Sequence, residues 1–542
     1  MKLRVSGWLG SGLFVAVTAT PTAHAGGMTL PGPGAIATAR AGAAVASADD
    51  GEALAINPAG LAKSKGTTIT ISMALINYML EFQRAGTYDE IPEEALPYEG
   101  QPYPLVKNDP DLPLGIGKYQ PVPVVAIVTD LGGIDPKLRL AAGLYAPNAY
   151  PFRDFCSVQG NGACRKYTFN GDFNEPPAPG RYDVVKQDAA VLLPSIAASY
   201  RILPQLDVGA RFSAGFANIK STVGLWGIPG NVNEYVKQDA YFSAEATDSF
   251  VPAWGVGLTY RPTPTIEVAA AYNSQISITA RGDAHAETGP AVSLSGVPFV
   301  IGPAGQPRCE AGGTFEKQKA CVELALPMTA TVGGRYKFLG KNGEMRGDIE
   351  LNVGWENWGA ERATDYRVVV DGAVYTERNG VLEENLGLKD TLLRHGFQNT
   401  YSARLGGSYV APVGTNSLTI RGGVGYDTAA AKKGWYRIDI DGAARTTATI
   451  GAGFRTKRWE LNLGGGAILE GSNTNEGVCN PPNSTTMAGC NADGNERPVE
   501  DREGPDPLNP LVSDTQQIES PVNKGTIKSN YVLFMLGFTT WF

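Results

Sequence analysis

Apolar and polar residues alternate one by one over long stretches of this chain. Leu206, Val208, Ala210, Phe212, Ala214 and Phe216 fall on one face, against Asp207, Gly209, Arg211, Ser213 and Gly215 on the other. Leu418, Ile420, Val424 and Tyr426 likewise oppose Thr419, Arg421, Gly423 and Asp427. Trp459, Leu461, Leu463 and Leu469 oppose Glu460, Asn462 and Glu470. A period of two is the signature of a β-strand, whose successive side chains point to opposite faces of the sheet. This pattern predicts strands over 66–84, 120–130, 137–147, 188–202, 205–219, 250–261, 265–281, 323–338, 345–358, 400–411, 416–427, 445–456, 458–470 and 528–542.

A soluble β-sandwich alternates too, so the connections decide between architectures. Every second link is short: Gly132-Gly133-Ile134-Asp135-Pro136, Leu203-Pro204, Pro262-Thr263-Pro264, Gly340-Lys341-Asn342-Gly343, Pro412-Val413-Gly414 and Thr456-Lys457. The intervening links are mostly long and rich in Pro, Gly, Asn and charge, as in 85–117, 148–187, 221–249, 283–322, 359–399 and 472–526. Short periplasmic turns alternating with long external loops, on an even number of strands, define a bacterial outer-membrane barrel. The C-terminus agrees: Val532, Phe534, Leu536, Phe538 and Phe542 share one face, interrupted by Thr540. The expected fold is therefore all-β, a 14-stranded antiparallel transmembrane barrel.

Composition supports this. The chain has 542 residues, 67 of them glycine, and only 18% charged residues. Beyond the N-terminus no apolar run is long enough for a membrane helix, and without helices only a closed barrel satisfies the backbone in hydrocarbon. The first residues read as a secretory signal: Lys2 and Arg4, an apolar stretch from Trp8 to Ala19, then Ala23-His24-Ala25 before a cut at Gly26. A net charge of -8 argues against a nucleic-acid partner. After processing only His285 and His395 remain, both in expected loops, so no histidine-based metal site and no cofactor are expected.

Six cysteines form three local pairs in the long links: Cys156 with Cys164, Cys309 with Cys321, and Cys479 with Cys490. An exported protein with an even count at short spacing favours disulfides. Six cysteines allow 15 connectivities, of which the sequential one is the expectation here.

Residues 26–65 do not alternate. From Gly34 to Ala62 they are mostly Ala and Gly, with Arg40, Asp49, Asp50 and Glu52 interspersed. Small side chains suit a segment packed inside a lumen, although a leader outside the barrel has the same composition. Gly34-Ala35-Ile36-Ala37 through Arg40-Ala41-Gly42, then Ala48-Asp49-Asp50-Gly51, then Asn57-Pro58-Ala59-Gly60-Leu61 resembles the N-terminal hatch of the FadL/TodX family. These are outer-membrane transporters of long-chain fatty acids and other hydrophobic compounds. Leu326-Pro327, Gly333-Gly334-Arg335-Tyr336, Asp348, Trp355 and Trp358 are similar to the family's middle strands. Tyr401 through Leu405-Gly406-Gly407-Ser408-Tyr409, Leu418 through Arg421-Gly422-Gly423, and Tyr426-Asp427 are similar to its late ones. The long external loops and their cysteine pairs depart from that pattern.

The resemblance implies a signal at 1–25, a hatch at 26–65 and a barrel at 66–542 in the bacterial outer membrane. It further implies entry of hydrophobic substrate from outside, diffusion past the plug and lateral release through a kink in the third strand. Expected partners are a fatty acid or aromatic hydrocarbon and outer-membrane lipid, with the protein acting as a monomer. Pro147 cannot donate a ladder hydrogen bond; it either borders a side opening or simply ends the third strand. In Asn57-Pro58-Ala59, proline fixes φ and biases Asn57 away from helix, giving a rigid hatch corner. Arg211 and Arg421 lie on polar faces, to meet a substrate carboxylate in the lumen or inward acids such as Asp207, Glu350 or Glu460. A general diffusion porin is the first alternative, but it needs an open lumen. An outer-membrane lipid hydrolase is the second, and neither His285 nor His395 has a supporting motif; no enzyme is expected.

Overall fold

The computed structural model describes residues 31–109, 118–147, 152–155, 173–225, 234–294, 296–432, 434–476 and 524–542. The expected signal, Gly26 to Leu30, and Cys156, Cys164, Cys479 and Cys490 lie outside these residues.

Fourteen strands build the wall. They are β1 (Thr68–Arg84), β2 (Gln120–Thr129), β3 (Leu138–Tyr145), β4 (Lys186–Leu203), β5 (Leu206–Leu225) and β6 (Ala240–Tyr260). Next come β7 (Ile266–Asn273, resuming as Ile276–Thr288), β8 (Gln318–Leu326, resuming as Thr329–Leu339) and β9 (Met345–Glu356). The last five are β10 (Thr400–Val413), β11 (Asn416–Asp427), β12 (Arg445–Arg455), β13 (Trp459–Glu476) and β14 (Lys524–Trp541). Each pairs antiparallel with the next. β1 closes on β14 along its whole length, from Thr68 opposite Trp541 to Arg84 opposite Gly525. The sheet thus closes on itself instead of ending in a first and a last edge strand.

The faces are inverted relative to a soluble protein. Phe212, Leu463, Phe534, Leu536 and Phe538 are exposed on the outside, Leu463 at 54%. Their polar neighbours Asp207, Arg211, Ser213, Glu460 and Asn462 are buried in the lumen. Alternation thus places the apolar face toward lipid and the polar face inward.

The structure departs from the expected elements mainly on the long-loop side. β5 runs on to Leu225, β6 starts at Ala240, β8 at Gln318, and β13 reaches Glu476. Above the hydrocarbon both faces of a strand meet polar surroundings, so the alternation fades while the hydrogen-bond ladder continues. For the same reason Cys321 sits inside β8 rather than in the loop before it; it is bonded to Cys309 with Cα atoms 5.7 Å apart. The links 283–322 and 359–399 carry their own strands. Val297–Pro303 and Val381–Gly387 flank Asp365–Arg378 in a small sheet above the wall. One link behaves unlike a loop: residues 429–431 and 435–444 are buried and fold inward.

Leu463→Arg puts a charge on the lipid face and is expected to destabilise the folded barrel by roughly 2–4 kcal/mol if it sits near the midplane. Urea titration of the protein refolded in lipid vesicles measures this.

Candidate functional site

The lumen is filled from the short-turn end by short, small-residue elements: α1 (Ala35–Thr38), α2 (Ala53–Ile56) and a 3-10 turn over Pro58–Lys63. They are short because the sequence keeps breaking them. Gly42 adopts φ 83° after α1, and Pro58 forces Asn57 into extended backbone at φ -153° after α2. The Glu52 carboxylate then ties the pieces together. It accepts the Ile36 N–H (3.1 Å), the Ala37 N–H (3.0 Å) and the Ser72 hydroxyl of β1 (2.7 Å).

Asn57 makes the corner rigid: its Oδ1 accepts the Ala59 N–H (3.1 Å) and its Nδ2 donates to the Val45 carbonyl (2.8 Å). The wall is thinned where the hatch touches it. A Cβ on Gly257 would lie 1.9 Å from Asn57 Oδ1, and one on Gly423 would lie 2.2 Å from the Arg40 carbonyl carbon. Only glycine permits such an approach.

Arg40 fastens the hatch to the opposite wall. Its guanidinium donates to both oxygens of Asp348 (3.0 and 2.9 Å) and to Glu350 (3.3 Å), while Nε donates to the Ala43 carbonyl (2.9 Å). Asp348 also accepts Arg335 Nε (2.7 Å), and Arg335 reaches Glu267 (2.8 Å). Both acids of the Arg40 pair have no exposed side-chain surface. Geometry of this kind is needed to offset the desolvation of buried charge.

Above the hatch lies a cavity of about 180 Å³. Its floor includes Pro33, Ala55 and Ile56, and its walls include Tyr145, Pro147 and Trp254. Arg211 lines it, donating to the α2 carbonyls of Leu54 (2.7 Å) and Ala55 (3.1 Å) and to Asn273 Oδ1 (2.8 Å). Its guanidinium carbon stands 4.8 Å from the Tyr145 ring centroid, and among the described residues no carboxylate pairs with it. Arg421 is placed differently. It donates to Glu460 (2.8 Å) and Asn462 (2.7 Å) and does not line the cavity. Asp207 is engaged by Arg201 (2.8 Å) and Arg261 (2.7 Å). Asn57 and Pro58 lie beneath the floor. Pro147 follows β3, which pairs with β4 only as far as Tyr145.

Trp254 and Ile276, which also line the cavity, escaped the sequence reading, and Leu326 entered it only through the family resemblance. Their signal was available: apolar residues on both phases of β6, as in Phe250-Val251-Pro252-Ala253-Trp254.

The mouth is closed by residues 429–444. His395, fully buried, offers Nε2 to Asp439 Oδ2 (2.9 Å) and Nδ1 to the Thr364 carbonyl (3.1 Å). Both ring nitrogens thus face oxygen atoms of the closure. Arg437 meets Asp439 (3.3 Å) and also pairs with Asp183. Burial pushes the Asp439 carboxyl up, but His395 and Arg437 more than offset this and hold it down at about 2. Asp441 accepts the hydroxyls of Tyr78 (2.9 Å) and Ser529 (2.8 Å), and Arg153 donates to the Ile438 carbonyl (2.8 Å).

Asp348→Ala leaves Arg40 buried without its main partner, a change worth roughly 3–5 kcal/mol; the expected result is a loosened hatch and raised single-channel conductance in planar bilayers. Asp439→Asn is expected to raise the permeability of the mouth to small polar solutes, read by vesicle swelling, while the far-ultraviolet circular dichroism of the barrel stays unchanged.

The sequence pattern of the family described as outer membrane protein transport protein (OMPP1/FadL/TodX) matches residues 15–466. No curated protein matches the chain. Among solved structures, a Pseudomonas aeruginosa FadL homologue superposes with a TM-score of 0.62 at 14% identity, covering 95% of this chain and 100% of its own. The P. putida toluene transporter TodX gives 0.57 at 15% identity, over 95% and 99%. The Ralstonia pickettii toluene transporter TbuX gives 0.54 at 15% identity, over the same shares. These likenesses agree on a closed barrel around a hatch, and the family consists of transport proteins rather than enzymes. Matched over most of its length, the chain belongs to the OMPP1/FadL/TodX family of bacterial outer-membrane transport proteins.

Proposed function

We propose that this protein takes up neutral single-ring hydrocarbons or fatty acids, holds them in the cavity above the hatch and releases them sideways into the bilayer. The observation that carries this reading is the cavity itself, closed below by the hatch and lined by Tyr145, Pro147 and Trp254. Its volume of about 180 Å³ slightly exceeds the ~150 Å³ that suffices for benzene in an apolar protein interior. A fatty acid would lodge one segment of its chain there and set its carboxylate against Arg211. A greasy solute gains about 0.8 kcal/mol per methylene by staying in apolar surroundings, so a side exit serves it better than a water-filled pore. Pro147 is read as bordering that exit, because the β3 ladder stops at Tyr145 beside the cavity. The protein works as a monomer ringed by lipid.

A diffusion porin is disfavoured by the hatch and by the inward-folded 429–444 segment, which occupy the lumen such a pore needs. Hydrolysis is disfavoured because both nitrogens of His395 are committed to acceptors.

Calorimetry on detergent-extracted protein tests the substrate class. Arg211→Gln is expected to weaken fatty-acid binding about tenfold, the worth of one charge-assisted hydrogen bond, and to leave toluene binding unchanged; equal losses for both would mean that Arg211 only braces α2. Pro147→Ala is expected to slow uptake in whole cells, and unchanged uptake would remove the third-strand exit.

A further inference from the structure

The wall has a break away from the third strand. β6 and β7 pair from Tyr260 opposite Val268 to Gly255 opposite Asn273, and again from Thr247 opposite Arg281 to Ala240 opposite Thr288. Between these ladders the regular pairing of residues 248–254 with 274–280 lapses. Each remains joined to its outer neighbour: Val251 to Gly215 of β5, and Ile276 to Leu326 of β8. The gap is therefore a slot between the β5–β6 pairing, which carries a bulge at Gly215–Ala217, and the β7–β8 pairing.

One backbone hydrogen bond and several side-chain ones frame the slot. At its lower end Ser274 donates its N–H to the Trp254 carbonyl (2.9 Å), and its hydroxyl accepts the Trp254 N–H (3.0 Å). At its upper end Asp248 accepts the N–H groups of Thr279 (2.8 Å) and Phe250 (3.1 Å). Between them Pro252 has no N–H to offer. β7 itself breaks at Ser274-Gln275, opposite the Pro327-Met328 break of β8.

The inner side of the slot is apolar. Val251, Ala253, Ile276 and Ile278 are buried behind it, and Ala253, Trp254, Ser274 and Ile276 also line the cavity. On its outer lip Phe250 and Trp254 are 60% and 48% exposed. Below Trp254 the outward residues of β6 are Val256, Leu258 and Tyr260; above the slot they are Thr247 and Glu245. The slot thus opens at the outer boundary of the hydrocarbon band, where water and lipid head groups can serve backbone groups that hydrocarbon could not.

We propose that the slot between β6 and β7 is a second side portal, joining the cavity to the outer membrane boundary and passing neutral apolar solutes of single-ring size. This rests on the transport reading above. Solute concentrated at the boundary passes between Phe250 and Ser274 into the cavity without crossing the 429–444 closure.

The test places a bulky maleimide on Phe250→Cys, and in a second variant on Pro252→Cys, both on the outer lip. Tyr401→Cys, exposed at the corresponding upper end of β10, serves as control, and treated wild type accounts for the native cysteines. Uptake of radiolabelled toluene by intact cells is compared before and after labelling, with labelling confirmed by mass. The portal predicts a several-fold loss on labelling at 250 and 252 and none at 401. Equal rates after labelling at all three positions overturn it while leaving transport intact. Wild-type uptake no faster than in cells lacking the protein overturns the transport reading and the portal together.

Discussion

Hydrocarbon offers a peptide group no hydrogen-bond partner, and this constraint organises the whole molecule. Every N–H and C=O in the wall needs a neighbouring strand, so the sheet must close, and β1 meets β14 along its full length. Closure then fixes the sidedness of each strand. The outward phase dissolves in lipid, and the inward phase lines a space too wide for side chains alone to fill. That space has to be occupied, or the barrel is a pore.

The hatch fills it, and the chemistry of its attachment follows from its composition. A segment made of Ala and Gly buries little apolar area per residue, so hydrophobic contact alone holds it weakly. Charge takes over: Arg40 on Asp348 and Glu350, and Glu52 on backbone N–H groups and Ser72. The glycines of the wall are the other half of this arrangement, since Gly257 and Gly423 leave room for the Asn57 corner and the Arg40 backbone. Anchoring by a few directional contacts leaves the hatch defined in position yet separable from the wall, a property suited to a stopper past which solute moves.

The same constraint gives meaning to the places where the ladder fails. A gap in a membrane wall carries a free-energy cost, and here side chains of Asp248 and Ser274 cover part of it at the two ends of the slot. The apolar residues behind the slot border the cavity, where Ala253, Trp254 and Ile276 meet Arg211 and Asn273. The mouth above is shut differently, by the paired charges around His395 and Asp439. Polar solutes thus face ionic closures at the mouth and at the hatch, whereas apolar ones meet an unpaired wall.

The sequence alone determined the barrel and its strand count. Alternation in segments such as Leu206–Phe216 is a direct print of lipid outside and polar lumen inside, and it needs no knowledge of distant residues. The extended backbone of Asn57 was legible for a similar reason, because proline acts on its immediate neighbour. Only the tertiary structure decided the rest. Arg211 and Arg421 look alike in sequence, yet one lines the cavity and the other is committed to Glu460, because partners are set by strands far apart in the chain. Residues 429–444 read as an ordinary loop until the closed wall supplied the acceptors and donors that draw them inward. The slot between β6 and β7 was equally hidden, since whether two strands pair is a property of both at once.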